Sequence, residues 1–132
     1  MSEALVAHPL LTCSEALAFE QSLLGDDAEA KWQAMSEAGV GVADSLLRDM
    51  RELRTIPHRP RFLFLVGKGH NGGDALVAAK RLLRSIPTAR ACLWPVQPWD
   101  ACKPNVQRAR DELLELAAKR VEELEPDRKS VV

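Results

Sequence analysis

An α/β domain built on a parallel sheet, with two helices ahead of its first strand, is the fold class this sequence predicts. Two features carry that expectation. The apolar run "RFLFLVG" passes through a glycine-dense turn directly into a helical pattern. A second run, "ARACLWPV", follows that helix and is itself followed by a long patterned stretch. Strand and helix alternating in this way are accommodated by a parallel sheet with right-handed crossovers.

The elements follow in order. "LTCSEALAFEQSLLG" reads as a short amphipathic helix: Thr12 or Ser14 can cap it, Leu17, Leu23 and Leu24 mark an apolar side, and Gly25 can close it. "DDAEAKWQAMSEAGVGVADSLLRDMREL" is a longer helix opened by Asp26 and Asp27, whose charges suit the positive end of its dipole. The line Met35, Ala38, Val42 and Leu46, with Ala34 and Gly41 beside it, falls on helical spacing. Gly39 and Gly41 each cost a helix about 1 kcal/mol relative to alanine, which implies that another backbone packs closely there. The prolines of "TIPHRPR" make a connector.

"RFLFLVG" is apolar at every position after its arginine, as a strand covered on both faces would be. "DALVAAKRLLRSI" turns Leu76, Ala79, Leu82 and Leu83 inward and Lys80, Arg81 and Arg84 outward. "QPWDACKP" is a loop, and "NVQRARDELLELAAKRVEEL" a strongly patterned helix over 105–124 whose charged face offers pairs such as Glu115 with Lys119. Only two strands are clear, and a third is expected to begin at the terminal "KSVV". Two strands make a poor core. The sheet is therefore expected to be completed by another chain or by further sequence, the second being preferred, and residues 1–132 are read as one domain incomplete at its C-terminus.

Composition sets outer limits. The chain has 132 residues, 46% apolar and 28% charged, with a net charge of -1. That length suits one core. Without a basic excess there is nothing to hold a nucleic acid by bulk electrostatics. No apolar run approaches a membrane span, and "MSEALVAHPLL" lacks the basic start of a signal peptide, so a cytoplasmic location is expected. Cys13, Cys92 and Cys102 form no CxxC pair and read as small buried hydrophobes. His8 and His58 lie in proline-adjacent loops without partner ligands, and Trp94 and Trp99, with Arg and Lys nearby, read as core and rim packing around a proline loop in preference to a stacking platform for bases.

The glycine turn admits three readings: a phosphate cradle, a site for a cation and hydroxyls, or a tight turn and nothing more. Gly67, Gly69 and Gly72 satisfy GxGxxG between a strand and a helix, the context of a dinucleotide fingerprint. Two details weigh against a pyrophosphate. "ARACLWPV" ends without the acidic residue that would hold a ribose hydroxyl, Asp100 coming only later in the loop. Asp74 is expected to stand at the mouth of the helix as its N-cap, where a carboxylate repels phosphate. No Lys-Ser/Thr pair follows, so this is not a Walker loop. Backbone groups, the Asn71 amide and the Asp74 carboxylate suit a hard monovalent cation or a hydroxyl.

With those residues in view, "GKGHNGGDALVAAKRL" closely resembles the "GxGNNGGDGLVAARHL" signature of the NAD(P)H-hydrate epimerases, the YjeF-type N-terminal domain. "LLTCSEALAFEQ" is similar to that family's opening helix "LTxxEMRxxE", and "AMSEAGVGVADSLL" to its "LMExAGxxVAxxLL" helix. The resemblance covers nearly the whole chain but only the front half to two thirds of the family domain. It implies a Rossmann-like, three-layer αβα fold, commonly a homodimer, that interconverts the R and S forms of hydrated NADH and NADPH. It also implies a bound potassium ion and a fused or separate ATP- or ADP-dependent dehydratase. Carried over by position, His70, Asn71, Gly72, Gly73 and Asp74 form the first segment of the substrate site, and Asn71 is a potassium ligand. His70 stands where the family has asparagine, and Ala75 where it has glycine. The "DALFGTG"-like segment and a later aspartate and serine have no counterpart here, so no catalytic residue is assigned. Two other readings stand beside this one. The same fold serves as a non-catalytic binding or dimerisation module, as in the C-terminal domain of an mRNA-decapping scaffold protein. A generic NAD(P)-binding domain fits less well, lacking the ribose acid.

Overall fold

A computed structural model describes residues 10–67 and 69–126. The chain divides into two compact units, Met1–Lys31 and Trp32–Val132.

The first unit holds helix α1 (Cys13–Leu24) and the start of α2 (Ala28–Leu53). Thr12 caps α1 in a reciprocal box: its hydroxyl accepts from the Glu15 N–H at 3.2 Å, and the Glu15 carboxylate accepts from the Thr12 N–H at 3.0 Å. The Thr12 backbone bond, then its side chain, hold the Glu15 carboxyl below its ordinary value. Gly25, at φ 56°, closes the helix and donates its N–H to the Gln21 carbonyl. The expected apolar side of α1 is not buried: Leu17 and Leu23 are exposed. Of the two aspartates expected to open α2, Asp27 does so, accepting from the N–H groups of Glu29 and Ala30 at 3.0 and 3.3 Å.

The second unit alternates strand and helix: β1 (Arg61–Val66), α3 (His70–Ser85), β2 (Arg90–Pro95), α4 (Pro104–Ala117) and β3 (Val121–Glu123). A single 3-10 turn, Trp99–Ala101, lies between β2 and α4. The sheet is parallel in the order β1-β2-β3, with Leu63 opposite Cys92 and Cys92 opposite Glu122. This is the predicted class, and the third strand is its main correction. β3 occupies the last turn of what periodicity assigns to a helix over 105–124. The helix stops at Ala117, and a short 3-10 turn, Ala118–Arg120, leads into the strand. The Leu124 N–H donates to the Leu93 carbonyl at 2.8 Å, extending the pairing past Glu123. The "KSVV" segment lies outside the described residues.

Both crossovers move the chain the same way across the sheet, so right-handed connections bring α3 and α4 to one face, and the two helices pack together. That face holds the core: Val66, Ala91 and Leu93 from the strands meet Leu76, Ala79 and Leu83 of α3 and Val106, Ala109 and Leu113 of α4. The opposite face carries Leu63 and Leu65 at 58% and 64% exposed, with Trp94 and Val96 also exposed. Among the described residues β1 is therefore covered on one face, where both are expected to be.

On α2 the inward line also differs from the one read by periodicity. Met35 is shared, but Gly39, Ala43 and Leu47 are buried, whereas Ala38, Val42 and Leu46 are exposed. The reason is the glycine. A Cβ on Gly39 would lie 2.5 Å from the Val77 Cβ and 2.8 Å from the Asp74 carbonyl oxygen, so α2 turns its small residues toward α3 and approaches closely. Gly41 has nothing within 4 Å, and the close approach expected at both glycines holds for Gly39 alone.

Arg120 fastens the far end of α3. Its guanidinium donates to the carbonyls of Leu83, Ile86 and Ala89 at 2.9, 3.3 and 3.2 Å. A cation at a helix C-terminus opposes the negative end of the dipole and satisfies carbonyls that have no partner within the helix. Of the three cysteines only Cys102 is buried; Cys13 is exposed and Cys92 intermediate. Burial, then the charge of Asp100, push the Cys102 thiol up.

Candidate functional site

The glycine turn sits at the carboxyl end of β1. Gly67 leaves the strand, Gly69 is the N-cap of α3 at φ -91°, and the Gly72 N–H donates to the Gly69 carbonyl at 3.0 Å. Gly69 itself has no side chain with which to cap the helix. The glycines divide by role. Gly67 and Gly69 have nothing within 4 Å of where a Cβ would stand. A Cβ on Gly72 would collide with the carbonyl of Gly67, and one on Gly73 with the Met35 sulfur. Both are buried. The third glycine of the fingerprint therefore allows the helix to pack on the strand end, and Gly73 makes room for α2.

Asp74 is not where the sequence reading puts it. α3 begins at His70, which makes Asp74 the fifth residue of the helix, and there is no acidic residue in its first turn. The N-cap assignment is corrected to Gly69. Helix propensity argues against starting a helix on two glycines, but close packing against Gly67 and Met35 outweighs that local cost. Asp74 is part-buried, and its carbonyl faces α2 at Gly39. Asp74 therefore stands five residues past the N-cap at which a carboxylate is expected to repel phosphate. The backbones of His70 and Asn71 open the helix; expectations for their side chains lie outside what the structure describes.

Sequence position thus brings His70, Asn71, Gly72, Gly73 and Asp74 into the first two turns of one helix, where its amino end faces the carboxyl edge of the sheet. In open α/β sheets, ligands bind in the crevice beyond that edge. The loop after β2 lies on the same edge, with the Val96 N–H bonded to the Val66 carbonyl at 3.0 Å. Periodicity gave no sign of what lies further along it. Trp99 stands under the Arg110 guanidinium, 4.9 Å from the ring centroid, and Arg110 grips Glu123 through two bonds of 2.6 and 2.9 Å. Those bonds, then the nearby charges of Glu123 and Asp111, raise the Arg110 pKa against the opposing effect of burial. Glu123 escaped notice because "VEEL" reads as helix. A cavity of about 290 Å³ lies among α2, α3 and α4, but Lys80 there is paired with Glu112 at 2.9 Å and Arg81 with Asp44 at 3.2 Å.

Comparison with known proteins bears on the family and the fold. The profile of the family described as YjeF-related protein N-terminus matches residues 31–130. The chain belongs to that family. A protein named NAD(P)H-hydrate epimerase from Roseobacter litoralis is 37% identical over 73 residues, 55% of this chain and 31% of that protein. The crystal structure of yeast ynu0, YNL200c, superposes with a TM-score of 0.65 at 21% identity, over 93% of this chain and 49% of the yeast chain. The chain thus spans half or less of the length of either relative. The yeast likeness supports the Rossmann-like fold, and the family places the glycine turn within the matched residues. Among the described residues no helix is long and apolar enough to cross a membrane.

Proposed function

We propose that this YjeF-type chain carries the first segment of an NAD(P)H-hydrate epimerase site, formed by His70, Asn71, Gly72, Gly73 and Asp74. The observation that supports this most is the turn itself: buried Gly72 and Gly73 set five polar or glycine positions at the carboxyl edge of a parallel sheet. The substrate is a reduced nicotinamide carrying a hydroxyl at C6. Inverting that centre requires the C–O bond to open and re-form on the other ring face, which needs a proton shuttle and stabilisation of the developing charge. Asp74 is the acid of this segment, and its role is to orient the hydroxyl by accepting its hydrogen bond. No general base is assigned among these residues.

The oxygens on offer are amide-type, from Asn71 and the turn backbone, and neutral hard oxygens of this kind suit potassium better than a thiophilic metal. A potassium ion held by Asn71 would supply positive charge beside the ring. The same reading brings a homodimer, a cytoplasmic location and a fused or separate ATP- or ADP-dependent dehydratase that consumes one epimer.

The test uses the 132-residue chain with purified R and S NADH hydrate. Binding is followed by calorimetry and exchange by chromatography, with and without potassium. Asp74→Asn and Asn71→Ala are each expected to weaken binding or exchange about tenfold, equivalent to roughly 1.4 kcal/mol, while the melting temperature holds. Unchanged binding and exchange in both would overturn the proposal. A chain that neither binds nor exchanges hydrate would favour the second reading, a non-catalytic module of the same fold, which draws support from His70 standing where the family has asparagine.

A further inference from the structure

The loop after β2 and the segment leaving β3 enclose a cavity of about 420 Å³, lined by Val96, Pro98, Trp99, Glu123, Leu124 and Glu125 among others. Its walls are of two kinds. Trp99, the proline and the aliphatic side chains present apolar surface to a flat ring. Among the described residues the titratable groups lining it are both carboxylates, Glu123 and Glu125. One arginine fixes the two kinds relative to each other, since Arg110 lies over the Trp99 ring and holds Glu123 through both carboxylate oxygens. The wall is therefore organised before any ligand arrives.

The cavity also has a fixed relation to the glycine turn. Both lie at the carboxyl ends of the strands, and β3 stands two strands from β1, roughly 10 Å across the sheet. A single extended molecule can reach from one to the other along the crevice where ligands of such sheets lie.

We propose that this cavity takes the adenosine half of the substrate, and that its carboxylates select the hydrate of NADH over that of NADPH. The adenine packs on the Trp99 side, and the ribose hydroxyls donate to a glutamate. A phosphate on the ribose 2′ oxygen brings up to about two further negative charges against Glu125, the lining carboxylate that Arg110 does not grip. The acid missing from the end of β2 is thus replaced by acids at the end of β3. The inference rests on the hydrate-epimerase reading for the identity of the whole ligand, but not for the adenosine contact itself.

Binding of adenosine 5′-monophosphate and of adenosine 2′,5′-bisphosphate to the 132-residue chain, followed by tryptophan fluorescence and calorimetry, tests it. The monophosphate is expected to bind at least about tenfold more tightly than the bisphosphate. Trp99→Leu is expected to remove most of the monophosphate binding. Glu125→Gln leaves the Arg110–Glu123 pair intact and is expected to narrow the gap between the two nucleotides severalfold. Equal affinity for both, no monophosphate binding, or unchanged binding in Trp99→Leu would each overturn the proposal. A chain that exchanges hydrates without binding the monophosphate refutes the cavity assignment alone. One that binds the monophosphate but neither binds nor exchanges hydrate refutes the epimerase reading alone.

Discussion

Gly72→Ala is expected to cost the second unit more than about 3 kcal/mol, or to prevent it from folding, and a urea titration followed by circular dichroism measures the loss. The added methyl would collide with the Gly67 carbonyl, a backbone atom at the end of β1 that has no rotamer to yield. Relief would require α3 to move off the strand, and with it Leu76, Leu82 and Leu83, all fully buried. Ordinary overpacking costs about 1–3 kcal/mol because side chains can shift; here the obstacle is main chain. Gly69→Ala is the control. Its φ of -91° suits any residue and nothing stands within 4 Å, so its stability should stay within about 1 kcal/mol of the unsubstituted chain. A Gly72→Ala chain as stable as Gly69→Ala would show that the turn is not packed as described.

Two alanines in α2 are expected to act in opposite directions. Gly41→Ala should stabilise by up to about 1 kcal/mol, since it gains helix propensity and meets nothing. Gly39→Ala gains the same propensity but sets its methyl 2.5 Å from the Val77 Cβ, 2.7 Å from its Cγ1 and 2.8 Å from the Asp74 carbonyl oxygen. Net destabilisation of about 1–3 kcal/mol follows from forcing α2 away from α3. Because the displaced carbonyl belongs to Asp74, hydrate binding should fall with it. Thermal melts of the two variants side by side read the contrast, and stabilisation by both would remove the close approach of the helices from the argument.

These glycines show where the sequence was legible and where it was not. The order β1, α3, β2, α4 followed from pattern, because apolar runs and helical spacing are local signals. The inward residues of α3, Leu76, Ala79, Leu82 and Leu83, were read correctly for the same reason. Tertiary contacts decided the rest. Periodicity favours bulk, so it selected Val42 and Leu46 on α2, whereas the buried face was chosen by how closely Gly39 lets a neighbour approach. A first turn that includes Gly72 and Gly73 runs against propensity, so periodicity starts α3 at Asp74 and sets at the N-cap a residue that occupies the fifth helical position. β3 is three residues long and continues a helical charge pattern, leaving no local mark beyond Val121. The five positions of the glycine turn were legible as a motif, but the cluster of Trp99, Arg110 and Glu123 joins three elements and exists only once β3 is in place.

Strand β1 forms one margin of the described sheet, and the direction of its peptide groups follows from the pairing. The carbonyls of Pro60 and Val66 accept from β2, so even-numbered residues between them turn their backbone toward that neighbour. Leu63 and Leu65 turn theirs the other way, to an edge with no strand among the described residues. Deuterium should therefore enter β1 in a two-beat rhythm, quickly at 63 and 65 and slowly at 62, 64 and 66. Anything that laid a further strand along that margin would silence the fast beat.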